Sequence, residues 1–169
     1  IKNNFSLETR IGYDPRLHRV NWVDTATKSL GKKIKLTAIP ENPIDIYWKD
    51  RPSGTPDKAL LLDEKYTGKS SQKKRNDLCA VIRKNKCDAA FLTQLDSIAW
   101  LLNIRGNDVP CNPVLLCHGL LYADGSFDLF IDNNKIPAGF HDHVGENVTV
   151  IVPDKMQDRL AELSDKKIQ

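Results

Sequence analysis

The most apolar part of the chain, residues 96–122, is interrupted by a polar loop at its centre. At its start, leucine, isoleucine and alanine side chains recur every three or four residues, which predicts one buried face of a helix. The turn-forming residues 105–108 end that helix, and Pro110 and Pro113 exclude helix beyond them. Residues 114–122 form a long apolar run without alternation, which predicts a central strand buried on both faces. The pattern thus predicts a helix, a rigid loop and a buried strand in succession.

The first part of the chain has the pattern of a strand, a helix and a second strand. Residues 11–14 predict the first strand, residues 17–30 an amphipathic helix that ends at Gly31, and residues 35–39 the second strand. Because a helix separates the two strands, we expect the closing half of a parallel strand–helix–strand unit.

Residues 40–56 contain four prolines and one glycine, and this density predicts a connector rather than a regular ladder. The apolar side chains of Ile44, Ile46 and Tyr47 within it predict a helical turn that packs against a domain surface. We expect Trp48 to contribute to interdomain packing, because a large aromatic side chain is most often buried.

The rest of the chain alternates helices with strands. Residues 71–85 predict a helix with Ser70 or Ser71 as its cap and Leu78, Val81 and Ile82 as its buried stripe. Further strands are predicted at residues 89–93, 127–132 and 148–152, a hairpin turn at 123–126, and a last helix from Pro153 that carries Met156, Leu160 and Leu163. This order is typical of an α/β domain with a mixed sheet.

Composition and charge fit a globular protein. The chain has 169 residues, 40% of them hydrophobic and 28% charged, which suits one domain, or one domain with an additional piece attached. The net charge of +3 comes from 25 basic and 22 acidic residues and argues against a nucleic-acid partner. We expect the short basic runs at 32–33 and 73–75 to be solvated surface. No apolar run approaches the roughly 20 residues of a membrane span.

The cysteines and the first residue suggest the cellular compartment of the chain and that it is part of a longer protein. The four cysteines form no Cys-x-x-Cys pair and no secretory signal precedes them, so we expect reduced thiols in a cytoplasmic protein. Two glycosylation patterns, at Asn4 and Asn147, matter only in a secreted protein. Because the chain opens on Ile1, we expect it to be a piece of a longer protein.

Three patterns contain residue types that can bind phosphate or metal. Gly68-Lys69-Ser70 ends like a phosphate-binding loop, but Asp63 occupies the position of the required first glycine. Residues 141–143, His-Asp-His, with His118 and Cys117 offer metal-ligand types, yet we expect a solvent-exposed loop there. Nuclease chemistry would need clustered carboxylates, for which Asp96, Asp128 and Asp132 are available, but a helix cap explains Asp96.

The loop after the first helix of this region offers Arg105, Asp108 and Asn112. Lying at the end of a central strand, these residues could line a cleft and hydrogen-bond a peptide, since open α/β sheets bind ligands there. The alternative is that Arg105 and Asp108 satisfy each other and the loop backbone. We expect His118 to be a satisfied core histidine.

Several of these segments together resemble a known family. The sequence Leu-Asp-Ser-Ile-Ala-Trp-Leu-Leu-Asn-Ile-Arg-Gly-Asn-Asp-Val-Pro at 95–110, followed by Asn-Pro-Val at 112–114, resembles the signature of the middle domain of three-domain aminopeptidase P, the Xaa-Pro aminopeptidases. Matching segments occur in the same order at 12–18, 42–52 and 66–71. The resemblance covers most of the chain, but no segment resembles the family's metal-binding catalytic domain.

The resemblance implies a fold, a division into domains and a function. The fold is the creatinase amino-terminal type, a ribonuclease-H-like mixed sheet flanked by helices and preceded by the tail of a similar domain. Residues 1–56 would end the first domain and include the connector, and residues 57–169 would form the middle domain. The parent enzyme would remove an amino-terminal residue that precedes proline, using two divalent metals, commonly manganese, in the missing catalytic domain.

On this interpretation the chain alone is inactive. Its partners would be the catalytic domain of the same polypeptide and short proline-containing peptides, and neither nucleic acid nor a membrane. The alternatives are a stand-alone protein-binding module that has lost catalysis, or the remnant of a broken gene. A stand-alone module should have replaced the apolar docking surface with polar residues.

Overall fold

The computed structural model describes residues 9–51 and 57–169. By its contacts the chain divides into two compact units, residues 1–53 and 54–169. The predicted boundary at residue 56, the prolines at 52 and 56 and the glycosylation pattern at Asn4 lie outside the described residues.

The first unit contains the predicted strand–helix–strand arrangement. Strand β1 (Thr9–Tyr13) pairs in parallel with β2 (Ile34–Ala38), and helix α1 (Val20–Leu30) connects them. The helix begins at Val20 rather than residue 17, because Pro15–Leu17 form a 3-10 turn. Helix α2 (Pro43–Tyr47) is the predicted helical turn. Trp48 follows it and is 48% exposed in the described residues, so its interdomain packing stays a prediction.

Asp14 fixes the turn between β1 and α1. Its carboxylate accepts hydrogen bonds from the backbone N–H of Arg16 at 2.9 Å, the Nε of Arg16 at 3.1 Å and the Nδ2 of Asn42 at 3.0 Å. These donors, Arg16 above all, hold the pKa of Asp14 well below its usual range. The same carboxylate therefore ties the turn to the segment that leads into α2.

The second unit is built on a four-stranded mixed sheet in the order β4-β6-β7-β8. Its first two pairings are antiparallel and the last is parallel, and the antiparallel pair β6–β7 is the predicted hairpin. A two-residue pair, β3 with β5, lies apart from this sheet. The elements are β3 (Leu60–Leu61), α3 (Glu64–Thr67), α4 (Ser71–Lys84), β4 (Ala89–Leu92), α5 (Leu95–Leu102), β5 (Ile104–Arg105), β6 (His118–Tyr122), β7 (Phe127–Phe130), α6 (Phe140–Val144), β8 (Val148–Ile151) and α7 (Met156–Ala161).

Both faces of the sheet are buried, and successive side chains along each strand point to opposite faces. On one face Leu121 and Leu129 join the large core that includes Ile98 of α5 and Ile82 of α4. On the other face Leu120 and Phe130 are covered by the last helical segment, through Met156, Leu160 and Leu163. The prediction of a central strand buried on both faces is confirmed for β6.

The buried strand is shorter than predicted, because residues 114–117 are not part of β6. Val114 instead accepts the N–H of Asp108 at 3.2 Å, and Leu116 donates its N–H to the Asp108 carboxylate at 2.6 Å. Val114 and Leu116 therefore bind the preceding loop rather than a neighbouring strand.

The last residues of the chain pair with the outer edge of β4, which the sequence pattern did not indicate. Phe91 donates its N–H to the carbonyl of Gln169 at 3.0 Å, and Gln169 donates to Ala89 at 3.0 Å. The segment therefore covers part of an otherwise open sheet edge. Within ranges 9–51 and 57–169, no helix is long and apolar enough to cross a bilayer.

Helix α4 buries two of the cations that were predicted to be solvated. Arg75 is 1% exposed and Lys74 3% exposed, whereas Val81, predicted to be buried, is 50% exposed. Arg75 donates from Nη1 to the carbonyl of Gly125 in the β6–β7 turn and from Nη2 to the carbonyls of Val144, at 3.0 Å, and Glu146, at 2.8 Å. The basic run is thus partly a structural anchor and not a solvated face.

Lys74 holds the end of α5. Its Nζ donates to the carbonyl of Trp100 at 2.9 Å and to Oδ1 of Asn103 at 2.6 Å, and it lies 4.4 Å from the centre of the Trp100 ring. Asn103 ends α5 in a left-handed conformation with φ 54° and donates from Nδ2 to the carbonyl of Lys69 at 2.9 Å. Burial lowers the pKa of Lys74, and the nearby charges of Arg105 and Lys69 lower it further.

We expect Arg75→Met to destabilise the protein by about 3 kcal/mol, because it removes three hydrogen bonds and leaves buried carbonyl groups without a donor. Urea unfolding measures this as a lower midpoint at an unchanged slope. Lys84→Met is the matched control, since Lys84 lies on the exposed side of the same helix. An Arg75 variant as stable as the Lys84 variant would contradict the anchoring role.

Asn103→Ala and Asn103→Gly should both be destabilised, because each loses the bonds to Lys74 and Lys69. The alanine variant should be less stable than the glycine variant by about 1 kcal/mol, since only glycine adopts the left-handed conformation without strain. Thermal or urea unfolding of the pair separates the two effects, with the exposed Asn107→Ala as a control. Equal stability of the Ala and Gly variants would show that backbone strain at this position is not decisive.

Candidate functional site: the loop between α5 and β6

The loop that contains the predicted site residues doubles back on itself. Gly106 donates its N–H to the carbonyl of Pro113 at 3.3 Å, and Asn112 donates to Val109 at 3.1 Å. At the tip, proline at position 110 and a positive φ of 60° at Cys111 are the features of a type II turn. A Cβ at Gly106 would lie 2.2 Å from a methyl carbon of Leu115, so the base of the loop requires glycine. The result is a short projecting loop whose tip, residues 110–113, is exposed.

Asp108 fixes the base of this loop. Its carboxylate pairs with the ammonium of Lys135 and accepts the backbone N–H of Leu116 at 2.6 Å. The side chains are 5% exposed for Asp108 and 12% for Lys135, so this ion pair is largely shielded from water. Asp108 therefore acts inside the protein, and its carboxylate does not reach the loop surface.

Arg105 and Asn112 have different surroundings from Asp108. Arg105 is half-buried and donates from Nη1 to the carbonyls of Ala99 at 3.0 Å and Ile104 at 2.8 Å. In the described part of the chain it does not pair with Asp108, so the expected mutual satisfaction of these two charges is wrong. The other part of that alternative, in which Arg105 bonds to nearby backbone carbonyls, agrees with the structure. Asn112 is exposed at the loop tip.

Cys117, just before β6, is not an activated nucleophile. Burial raises the pKa of Cys117 to about 12, and the Asp108 carboxylate adds to this, so the thiol stays protonated near neutral pH. His118 is only partly buried and stacks on Phe91, with 5.9 Å between ring centres. The prediction of a core histidine at this position is therefore wrong.

The predicted metal-ligand types do not converge. Residues 141–143 lie in helix α6 rather than a loop, and Nε2 of His143 lies 3.0 Å from the carbonyl of Asn103. Across residues 9–51 and 57–169, no group of three or more His, Cys, Asp or Glu side chains could hold a metal ion. These residues therefore do not fit the two-metal site that the family resemblance implies for its catalytic domain.

The three candidate nuclease carboxylates have separate structural roles. Asp128 accepts the Tyr122 hydroxyl at 2.7 Å and the Nε of Arg159 at 2.8 Å, which attaches α7 to the sheet. Asp132 caps a 3-10 turn at 133–135. Asp96 lies in the first turn of α5 and accepts the N–H of Ser97 at 2.9 Å, while the N-cap position belongs to Gln94.

The segment 68–70 that resembles the end of a phosphate loop joins two helices. Gly68 ends α3 in the left-handed conformation, and Ser70 caps α4 by accepting the N–H of Lys73 at 3.3 Å. The Lys69 ammonium pairs with the carboxylate of Asp77.

Two surface depressions lie near α5. One, of about 400 Å³, is polar and the other, of about 370 Å³, is an apolar groove beside Trp100. The polar one is lined by Leu61, Asp63, Glu64, Ser70, Asn103 and His143, and the apolar one by Leu78, Leu92, Asp96, Ser97, Trp100 and Leu101. The predicted residues Arg105, Asp108 and Asn112 line neither depression.

Comparison with known proteins identifies relatives of the chain. Residues 50–169 match the family described as creatinase/prolidase N-terminal domain. A probable Xaa-Pro aminopeptidase P of Ajellomyces capsulatus is 34% identical over 145 residues, which cover 83% of this chain and 23% of that protein. An Xaa-Pro aminopeptidase of Caenorhabditis elegans is 36% identical over 148 residues, covering 85% of this chain and 23% of that protein. The chain thus spans less than a quarter of the length of these relatives.

A solved structure supports the same relationship. The crystal structure of X-prolyl aminopeptidase from Caenorhabditis elegans, described as a cytosolic enzyme with a di-nuclear active site, matches with a TM-score of 0.82 and 30% sequence identity. The match covers 97% of this chain and 27% of that one. The predicted creatinase amino-terminal fold is therefore confirmed, as is the resemblance to aminopeptidase P. The chain belongs to the creatinase/prolidase N-terminal domain family, and the proteins that it matches in this region are Xaa-Pro aminopeptidases.

Proposed function

We propose that this chain is the non-catalytic amino-terminal region of a metal-dependent Xaa-Pro aminopeptidase, an enzyme that releases an amino-terminal residue preceding proline. The observation that carries the proposal is the match to a 30% identical X-prolyl aminopeptidase structure over 97% of the chain. In this proposal residues 1–56 close a first domain, residues 57–169 form a middle domain, and the whole enzyme is cytoplasmic. The description of the structural relative as cytosolic supports that location.

The metals of such an enzyme would be held elsewhere in the polypeptide. We expect two divalent ions, commonly manganese, which would polarise the scissile peptide carbonyl and activate a water. The di-nuclear active site of the structural relative supports this expectation. The described residues of this chain offer no comparable group of ligands. In this proposal the chain buttresses the catalytic domain, shapes the substrate cleft and limits access to short peptides.

The loop between α5 and β6 is the part of the chain proposed to border the peptide cleft. Arg105 is half-buried, is held through Nη1 by two backbone carbonyls, and carries a positive charge at neutral pH. A positive, partly exposed guanidinium suits the carbonyl oxygens of a short peptide. Asn112 at the tip adds an exposed amide, and Asp108 acts from inside by fixing the loop.

The exposed apolar side chains favour this proposal over a stand-alone binding module. Trp100 is 50% exposed beside an apolar groove, and Leu116, next to the loop, is 57% exposed. A surface that packs against a further domain keeps such residues, whereas a module that functions alone would replace them with polar ones.

The first test compares this chain with the longer polypeptide encoded by the same gene. With Mn²⁺, the longer polypeptide should release the first residue of a short Xaa-Pro peptide, lose that activity in a chelator and ignore the matching Xaa-Ala peptide. The 169-residue chain should be inactive under the same conditions. Activity of the short chain, or a reading frame that ends soon after Gln169, would contradict the proposal.

The second test concerns Arg105. In the active longer polypeptide, Arg105→Ala should raise KM about tenfold and leave kcat within about twofold, because it removes binding shared by the ground and transition states. Arg105→Lys keeps the positive charge and should recover part of the loss. An unchanged KM in the alanine variant would remove Arg105 from the peptide cleft.

A further inference from the structure

A shielded ion pair joins the projecting loop to a turn that is distant in sequence. The Asp108 carboxylate receives the Lys135 ammonium and the Leu116 N–H on the same oxygen, Oδ2. Lys135 comes 27 residues after Asp108, at the end of the 3-10 turn 133–135 that follows β7. The sequence pattern gave no reason to associate these two charges.

Lys135 is itself held in place from two sides. Its backbone N–H donates to the carbonyl of Asp132 at 3.0 Å, and its carbonyl accepts the N–H of the buried Ala59 at 2.8 Å. The turn in which it lies is capped by the Asp132 carboxylate, which accepts the N–H of Asn134 at 2.9 Å. The ammonium therefore projects from a backbone whose position is fixed by its own hydrogen bonds.

Burial makes this pair different from the surface pairs of the protein. Lys155 and Asp158 also form an ion pair, but their side chains are 67% and 68% exposed, against 12% and 5% for Lys135 and Asp108. Removing one partner of a shielded pair leaves the other charge uncompensated, whereas removing one partner of an exposed pair changes little. If Lys135 is lost, the Asp108 carboxylate must take up a proton or turn toward water, and either change weakens its hold on the loop.

We propose that Lys135 is a positioning residue for peptide binding, acting through Asp108 on the loop that presents Arg105 and Asn112. This inference rests on the proposed function, because it assumes that the loop borders the peptide cleft. The ion pair fixes the position of the exposed loop tip in the protein without bound peptide. Preset geometry of this kind strengthens binding, since less conformational freedom is lost when the ligand binds.

The test uses the active longer polypeptide and the variants Lys135→Met and Lys135→Arg. Lys135→Met should raise KM for a short Xaa-Pro peptide about tenfold with kcat nearly unchanged, and Lys135→Arg, which can still pair with Asp108, should recover most of the loss. The double variant Asp108→Asn with Lys135→Met leaves no unpaired buried charge. It therefore replaces Lys135→Met in the KM measurement if that single variant does not fold. Its KM should equal that of Lys135→Met, because both lack the same interaction. Lys155→Met is the matched control and should leave KM unchanged.

Hydrogen exchange of this chain separates failure of the inference from failure of the proposed function. In Lys135→Met the amide of Leu116 should exchange about tenfold faster than in the unmodified chain, and in Lys155→Met it should not change. An inactive longer polypeptide would overturn the proposed function, and the peptide-binding role of Lys135 with it, even if the exchange result held. An active one in which Lys135→Met, or the double variant, keeps its KM would overturn the inference alone. Unchanged exchange at Leu116 would overturn it as well.

Discussion

The buried guanidinium of Arg75 holds together the parts of the second unit that are distant in sequence. It donates to the turn between β6 and β7 and to the segment between α6 and β8, and so joins helix α4 to one end of the sheet. None of its hydrogen-bond partners is a carboxylate within the described residues, and burial lowers the pKa of Arg75, yet a guanidinium remains charged at any pH at which the protein is folded. The guanidinium is therefore stabilised by carbonyl dipoles, and its burial depends on the correct placement of those carbonyls.

The neighbouring Lys74 extends the same principle to the candidate site. Its ammonium binds the last turn of α5 through Trp100 and Asn103, and Asn103 in turn binds the segment that precedes α4. The projecting loop begins two residues after Asn103. The conformation at the end of α5 thus depends on the buried Lys74 and the left-handed Asn103. These two residues therefore also determine the direction of the chain as it enters the loop at Arg105.

The loop combines a fixed base with an exposed tip. Its base is fixed by Gly106, by the pairing of residues 106–108 with 113–114, and by the shielded pair of Asp108 with Lys135, while its tip presents Pro110, Cys111 and Asn112 to solvent. A rigid loop on a rigid scaffold is a common way to present binding groups, because the scaffold bears the cost of ordering them before a ligand arrives. In a chain that spans less than a quarter of its Xaa-Pro aminopeptidase relatives, such a loop suits a supporting role toward a peptide better than a catalytic one.

Apart from the short elements β3, α3, β5 and α6, local patterns in the sequence determined the helices and strands, the central place of β6, the hairpin at Gly125 and the family. Each of these depends on residues close together in the chain, through periodicity, turn chemistry or a continuous motif. Only the tertiary structure decided that Arg75 and Lys74 are buried, that Asp108 pairs with Lys135 rather than Arg105, and that the last residues extend the sheet at β4. A basic run has the same sequence whether its side chains are exposed to solvent or buried against backbone carbonyls. The difference lies in partners that are 26 to 71 residues away, which no local pattern contains.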